Sequence, residues 1–300
     1  MPAAEVEVSA ELVRALLAAQ QPDLAHLPVQ VLANGWDNLL CRLGEDLIAR
    51  LPRRAQAAAL VAHEQRWLPT LAPRLPLPIP APVRLGEPGA GYPWHWSIVP
   101  FLPGRPAAVE PPADGAAAAV ALAEFLAALH IPADPEAPVN PYRGVPLQVR
   151  YELFTDALSR LDGSVDSAAA RRAWASALAA PSWHGPPVWL HGDLHPANIL
   201  VDQGSISAVI DFGDITAGDP AADLAVAWML LPAGAHRQFR TVYGRASRYG
   251  ASEGLWARAE GWALALSLVF LAHSADNPMM FGIGERTLTA VLREAGQLRR

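Results

Sequence analysis

Lysine is missing from this chain: all 23 basic residues among its 300 are arginine. Any phosphate-handling motif that relies on a lysine point charge must therefore be served by a planar, permanently charged guanidinium. Cysteine is nearly missing too. Cys41 stands alone, so no intramolecular disulfide can form and the thiol reads as an inert strand residue. The opening residues lack the basic start and apolar middle of a secretory signal, and together with the lone thiol this predicts a reducing, cytoplasmic setting. Charge is sparse, 17% of residues with a net of −6, which removes the basic face that nucleic acid needs. The most apolar late stretch, 262–273, is about 12 residues long and follows Arg258 and Glu260. That is too short to cross a bilayer and predicts a buried helix. Neither nucleic acid nor membrane is expected as a partner.

What is present points to a folded chain. Hydrophobic residues make up 52%, with 10 tryptophans, well outside the range of disorder. At this length a sizeable core can form without disulfide or metal staples. Apolar spacing at Val6, Leu12, Leu16 and Leu17 predicts a leading amphipathic helix within residues 1–20. From Val29 to Leu51 the pattern changes to three short strands, broken at Asn34-Gly35 and at Gly44-Glu45-Asp46, an antiparallel meander. A helix over 56–71 follows, then a proline-rich run, strands near 83–85 and 94–99, and a connector Pro100-Phe101-Leu102-Pro103-Gly104. Beyond it, helices are predicted at 113–130, 149–162 and 167–180. Short strands at 188–190 and 208–210 frame a polar cluster, and about four more helices complete the chain. The expected class is α+β, with a sheet-rich part over 1–102 and a larger, mainly helical part over 103–300.

The segment that carries chemistry is VWLHGDLHPANILVDQGSISAVIDFGD, residues 188–214. Asp193 is followed by Asn198, and a hairpin turning at Gly204 brings the chain back to Asp211 of the Asp211-Phe212-Gly213 triplet. Hard oxygen ligands in this order suit Mg²⁺, which takes the rest of its shell from water and substrate phosphates. The order is also that of a phosphoryl-transfer site: an aspartate for the acceptor hydroxyl, an amide and a second aspartate for the metal. Asp and Asn taken singly favour turns and caps; it is their joint order that argues for chemistry.

These motifs resemble the aminoglycoside phosphotransferase family, small-molecule kinases with a protein-kinase-like, two-lobed fold. HGDLHPAN is similar to that family's catalytic loop, and IDFGD followed by GDPAADLA, residues 218–225, to its sequel. The resemblance spans about residues 28–290 and is strongest over 188–231. It implies transfer of a nucleotide γ-phosphate, from ATP or GTP with Mg²⁺, to a hydroxyl of a small molecule. The acceptor is an aminoglycoside or similar antibiotic, with resistance as the outcome, or alternatively a macrolide or an amino-alcohol metabolite. It implies Asp193 as base and Asn198 and Asp211 as metal ligands. It further implies Arg50, on the third strand, in the place of the usual lysine, paired with Glu64 of the following helix. Gly35 lies in the loop that covers phosphates, with one glycine where protein kinases have three. Pro100 and Leu102 lie on the connector that meets the adenine, Leu102 as donor and Pro100 through its carbonyl only.

Two rival readings stand beside it. His191, Asp193 and His195 alternate as a metal-dependent hydrolase's ligands could. The absent lysine and thin glycine loop would suit a nucleotide-binding pseudokinase. His191 reads as a brace for the loop, while His195 stays open between loop support and a place beside the phosphates. Asp214, Asp219 and Asp223 read as structural, with Asp219 before Pro220 a helix cap. For the acceptor, Glu253, Glu260, Asp276 and Glu285 would suit a polycation. Trp256, Trp262, Phe270, Met279, Met280 and Phe281 read mainly as core and otherwise favour a less charged compound.

Overall fold

The computed structural model describes residues 3–35 and 37–297, so Trp36 of the first strand connection lies outside the described residues. The chain divides into two compact units. The first contains residues up to Pro73, Pro78–Pro103 and, from far along the chain, Asp211–Gly213; the second contains the remainder.

The first unit is a five-stranded antiparallel sheet with two helices. Helix α1 (Ala10–Gln20) is capped by the Ser9 side chain and starts later than the apolar spacing suggested. The strands are β1 (Val29–Asn34), β2 (Asn38–Leu43), β3 (Leu47–Pro52), β4 (Arg84–Gly86) and β5 (Trp96–Pro100), with helix α2 (Ala55–Leu71) after β3. Their order is β1-β2-β3-β5-β4. Alternation along a strand decides which side chains meet which helix. Leu39 and Cys41 of β2 pair across the ladder with Leu51 and Ala49 of β3, and all four are buried in one core with Val13, Leu16 and Leu17 of α1. Arg50, between Ala49 and Leu51, must therefore face the other side, where it pairs in register with Leu40 and Ser97. On α2 the buried stripe is Ala57, Val61, Glu64, Leu68 and Leu71, so Glu64 sits at an apolar position of the helix.

In the second unit β6 (Arg105–Pro106), β8 (Ile199–Asp202) and β9 (Ser205–Val209) form one small sheet. β7 (Val188–Leu190) and β10 (Thr216–Gly218) form another. The helices are α3 (Gly115–Leu129), α4 (Tyr151–Arg160), α5 (Ser167–Leu178), α6 (Ala221–Leu224), α7 (Val226–Leu230), α8 (Ala233–Ala246), α9 (Leu255–His273) and α10 (Pro278–Gln297). Helix α9 is central, packed by α4, α5, α6 and α10. It is the one described helix long and apolar enough to cross a membrane, and most of it is buried inside the unit. Leu264 and Leu268 are fully enclosed, each contributing about 1.5–3 kcal/mol by leaving water. The helix is longer than its apolar stretch because Arg258 does not end it. Buried within the second turn, Arg258 pairs with Asp219 through Nε at 2.7 Å. Phe154 stacks on Trp174 at 4.4 Å, closing α4 against α5.

Candidate active site

In the first unit three charged groups meet. Arg50 Nη1 donates to Glu64 Oε1 at 2.7 Å, and its Nη2 lies 3.4 Å from Asp211 Oδ1. Asn38, with its amide oxygen turned toward the guanidinium, accepts from Arg50 Nη2 and Nε at 3.2 Å. Arg50 and Glu64 are both buried, while the Asp211 side chain is 58% exposed. Burial pushes the Glu64 carboxyl up to about 7, against the pull of Arg50. Arg50 is held above its ordinary value: burial opposes the charge, and Glu64 and Asp211 together outweigh it. Asp211 itself has φ +62°, a left-handed conformation that a non-glycine residue adopts at a cost of order 1–3 kcal/mol. Phe212 beside it is fully buried and anchors the strained turn.

Gly35 lies in the connection between β1 and β2, its N–H donating to Asn38 O at 2.9 Å and its carbonyl accepting from Arg53 Nη1 at 3.0 Å. Its φ is not in the left-handed region, so the loop does not depend on glycine freedom there. Asp37 pairs with Arg54, tying the same loop to the start of α2. Pro100 ends β5. Phe101 N–H is committed to Asp46 O at 2.7 Å, whereas the Leu102 N–H makes no hydrogen bond among the described residues.

In the second unit the loop after β7 is built around a buried carboxylate. Asp223 of α6 accepts from His191 N at 2.7 Å and Gly192 N at 3.0 Å, and from the side His130 Nε2 approaches at 3.3 Å. Gly192 has φ +85°, and a Cβ there would strike the Asp214 carbonyl, so only glycine fits. His191 uses both ring nitrogens inside the loop: Nδ1 accepts from Asp193 N at 3.2 Å and Nε2 meets Ile210 O at 2.9 Å. It is a brace with no lone pair left for a metal. Among the described residues no group of three or more His, Cys, Asp or Glu side chains is arranged around a common point. The hydrolase reading of His191, Asp193 and His195 finds no support in this geometry.

Asn198 Nδ2 donates to the Asp193 carbonyl at 3.0 Å, leaving its amide oxygen for another partner. The Asn198 carbonyl accepts from Ile210 N at 2.9 Å, which fixes the residue immediately before Asp211 in the chain. The side-chain atoms that Asn198 and Asp211 each leave available are oxygens, the kind of donor that suits a hard cation such as Mg²⁺ and not zinc.

The Asp193 carboxylate is engaged at both oxygens. Arg143 Nη2 lies 2.7 Å from Oδ1, and His195 Nε2 lies 3.4 Å from Oδ2. Burial alone would raise this carboxyl, but Arg143, His195 and His191 hold it well below the usual carboxylate range. Arg143 was not singled out by sequence reasoning. It sits on an irregular segment 50 residues before Asp193, and no spacing rule connects them. His195 packs its ring edge-on to Phe270 at 5.8 Å, so Phe270 belongs to the loop's surroundings.

Asp219, expected as a cap, accepts from Ala221 N at 3.0 Å and also carries the Arg258 pair. Of the apolar residues considered for an acceptor, Trp262 is buried core, whereas Met279 is exposed. A cavity of about 1700 Å³ opens in this unit, walled by Pro196, the loop before α3, and α7, α8 and α10. Its charged lining is Arg237, Arg240, Arg286 and Arg293 with Glu285 and Glu294.

No curated protein matches the chain. Among solved structures, the chain is similar to a GDP complex of aminoglycoside 2'-phosphotransferase-IIIa, at 20% identity and TM-score 0.64, covering 96% of this chain and 99% of that one. It is also similar to the apoenzyme of macrolide 2'-phosphotransferase MphH from Brachybacterium faecium, at 24% identity and TM-score 0.60, covering 94% and 97%. A streptomycin–ATP ternary complex of APH(2")-IIa aligns at 18% identity and TM-score 0.58, covering 96% and 99%. At such identities the likeness establishes the fold, a two-lobed kinase-like α+β architecture. The profile of the phosphotransferase enzyme family matches residues 28–262, and the chain belongs to that family.

Proposed function

We propose that this protein transfers the γ-phosphate of ATP or GTP to a hydroxyl of a small molecule. The observation that carries the reading is the buried Arg50–Glu64 pair reaching Asp211. A chain without lysine keeps a desolvated cation on β3, held by a helix carboxylate, at the place where such a transfer needs charge on the nucleotide's phosphates. Ordinary surface ion pairs are worth little and need no such burial.

In this reading Asp193 accepts a hydrogen bond from the acceptor hydroxyl and aims its oxygen at the γ-phosphorus. The new P–O bond forms as the bond to the leaving nucleoside diphosphate breaks, and the hydroxyl proton passes to the Asp193 carboxylate. Because this carboxylate is held below the ordinary range, it is a weak base, so its main contribution is orientation, with proton transfer late. Asn198 and Asp211 would hold Mg²⁺ through side-chain oxygens; the bound ion would neutralise phosphate charge. Arg50 covers the remaining negative charge from the first unit. Leu102 N–H and the Pro100 carbonyl are the groups offered to the base of the nucleotide, and the loop at Gly35 covers the phosphates.

The test is to screen hydroxylated compounds, including aminoglycosides, macrolides and amino alcohols, for Mg²⁺-dependent nucleotide consumption. The product is then identified by its gain of one phosphoryl group. Nucleotide binding without phosphorylation of any acceptor would support the pseudokinase alternative instead.

A further inference from the structure

Arg143 has no other ion pair among the described residues than Asp193, and its side chain is 21% exposed. The segment presenting it is strapped down along its whole length. The Pro138 carbonyl accepts from Ala217 N at 3.1 Å and Thr216 Oγ1 at 2.9 Å. Asn140 donates from its backbone to Thr216 Oγ1 at 2.9 Å and from its amide to Asp214 Oδ1 at 2.7 Å. The Tyr142 carbonyl accepts from the buried Arg150 at 3.2 Å, and the Gly144 carbonyl from Asp219 N at 2.9 Å. Gly144 has φ +65°, and a Cβ there would collide with Leu190 and the Gly218 backbone. A surface arginine needs none of this. The fold commits a strained glycine, a buried arginine and an Asn–Asp bond to delivering one guanidinium to one carboxylate oxygen.

We propose that Arg143 is a positioning and specificity-determining residue: it pins the Asp193 carboxylate for the acceptor hydroxyl and sets the sign of charge that the acceptor meets there. It follows that the reacting hydroxyl lies on a neutral or anionic part of the acceptor, away from ammonium groups. The inference rests on the reading of Asp193 given above. The Asp193 carboxylate on its own would attract an ammonium, and Arg143 offsets that attraction: at about 6 Å and an effective dielectric of about 20 the guanidinium's share is roughly 100-fold in affinity.

The experiment is calorimetric titration of kanamycin, a polyammonium probe, into the nucleotide-loaded full chain as wild type, Arg143→Ala and Arg143→Lys. Thermal melting verifies that each is folded, and Arg143→Gln replaces the alanine variant if that one melts early. The expected result is at least tenfold tighter kanamycin binding by Arg143→Ala, with Arg143→Lys no tighter than wild type. Equal affinity in wild type and Arg143→Ala, no binding by either included, overturns the specificity role. Positioning is read from kinetics: with an acceptor found in the screen, Arg143→Ala lowers kcat at least tenfold with nucleotide KM unchanged, and Arg143→Lys restores it in part. An unchanged kcat, or a lysine variant as impaired as alanine, overturns that role. Failure of the underlying reading shows separately, as full turnover by Asp193→Asn.

Discussion

Asp223 touches neither substrate nor nucleotide in this account, yet its replacement should be among the most damaging in the chain. Its carboxylate is buried and is the acceptor for two consecutive backbone donors, His191 N at 2.7 Å and Gly192 N at 3.0 Å. Converting Asp223→Ala leaves both N–H groups in a space closed to water. A hydrogen bond to a charged group contributes about 1.5–3 kcal/mol, and orphaning a buried donor costs a similar amount, so the pair gives roughly 3–6 kcal/mol. For a domain of this size 1 kcal/mol moves the midpoint by about 2–4 °C, and the expected loss is therefore roughly 6–24 °C. Asp223→Asn keeps one acceptor oxygen but turns an amide N–H toward the second donor, so it should fall between. Differential scanning calorimetry gives the shift, and amide hydrogen exchange at His191 and Gly192 localises it. Turnover should fall with the loop that carries Asp193, while nucleotide affinity stays within a few-fold of wild type. If Asp223→Ala melted within 2 °C of the parent with those two amides still protected, the claim that this carboxylate organises the loop would be refuted.

Glu64 and Glu294 are shifted in opposite directions, and what each contributes is lost in a different acid range. The Glu64 carboxyl is pushed up to about 7 by burial, so as pH falls through that value it takes a proton and releases its charge pair with Arg50. A pH–rate profile of kcat/KM for nucleotide should show an acid limb centred near 7, absent in Glu64→Gln, which stays low throughout. Glu294 accepts from His236 and Trp228 and pairs with Arg240, and chiefly through the His236 bond it is drawn down to about 2. Its folded value lies below its unfolded one. The stability it contributes is therefore present above about pH 4.5 and lost as pH falls toward 2. Urea unfolding at pH 6 and pH 3 should show Glu294→Ala destabilised at both, with a clearly smaller gap from wild type at pH 3.

Much of the fold could be read from the chain because local signals and tertiary needs agree. Asn34-Gly35 and Gly44 break the first three strands where the ladder turns, and the alanine-rich run starts at α3 once Asp114 caps it. Departures arise where a long-range partner overrides a local signal. Arg258 and Glu260 mark the start of a charged edge in sequence, but Asp219 neutralises Arg258, and α9 runs through both. The last part has five helices and not about four, because α6 and α7 separate at Ala225. At the site, Asp193, Asn198 and Asp211 are close in sequence and stand out as a motif. Arg143 does not, because it reaches Asp193 only through hydrogen bonds from its segment to β10 and Asp214. That kind of support is a property of the folded loop and leaves no periodic trace.

The most direct measurement is on Asp193→Asn, with nucleotide affinity followed by titration and phosphoryl transfer followed on an acceptor that wild type modifies. The account predicts unaltered nucleotide binding and a fall in transfer of about 10² to 10⁴, from losing the carboxylate that orients the hydroxyl and takes up its proton late. Transfer at the wild-type rate would contradict it.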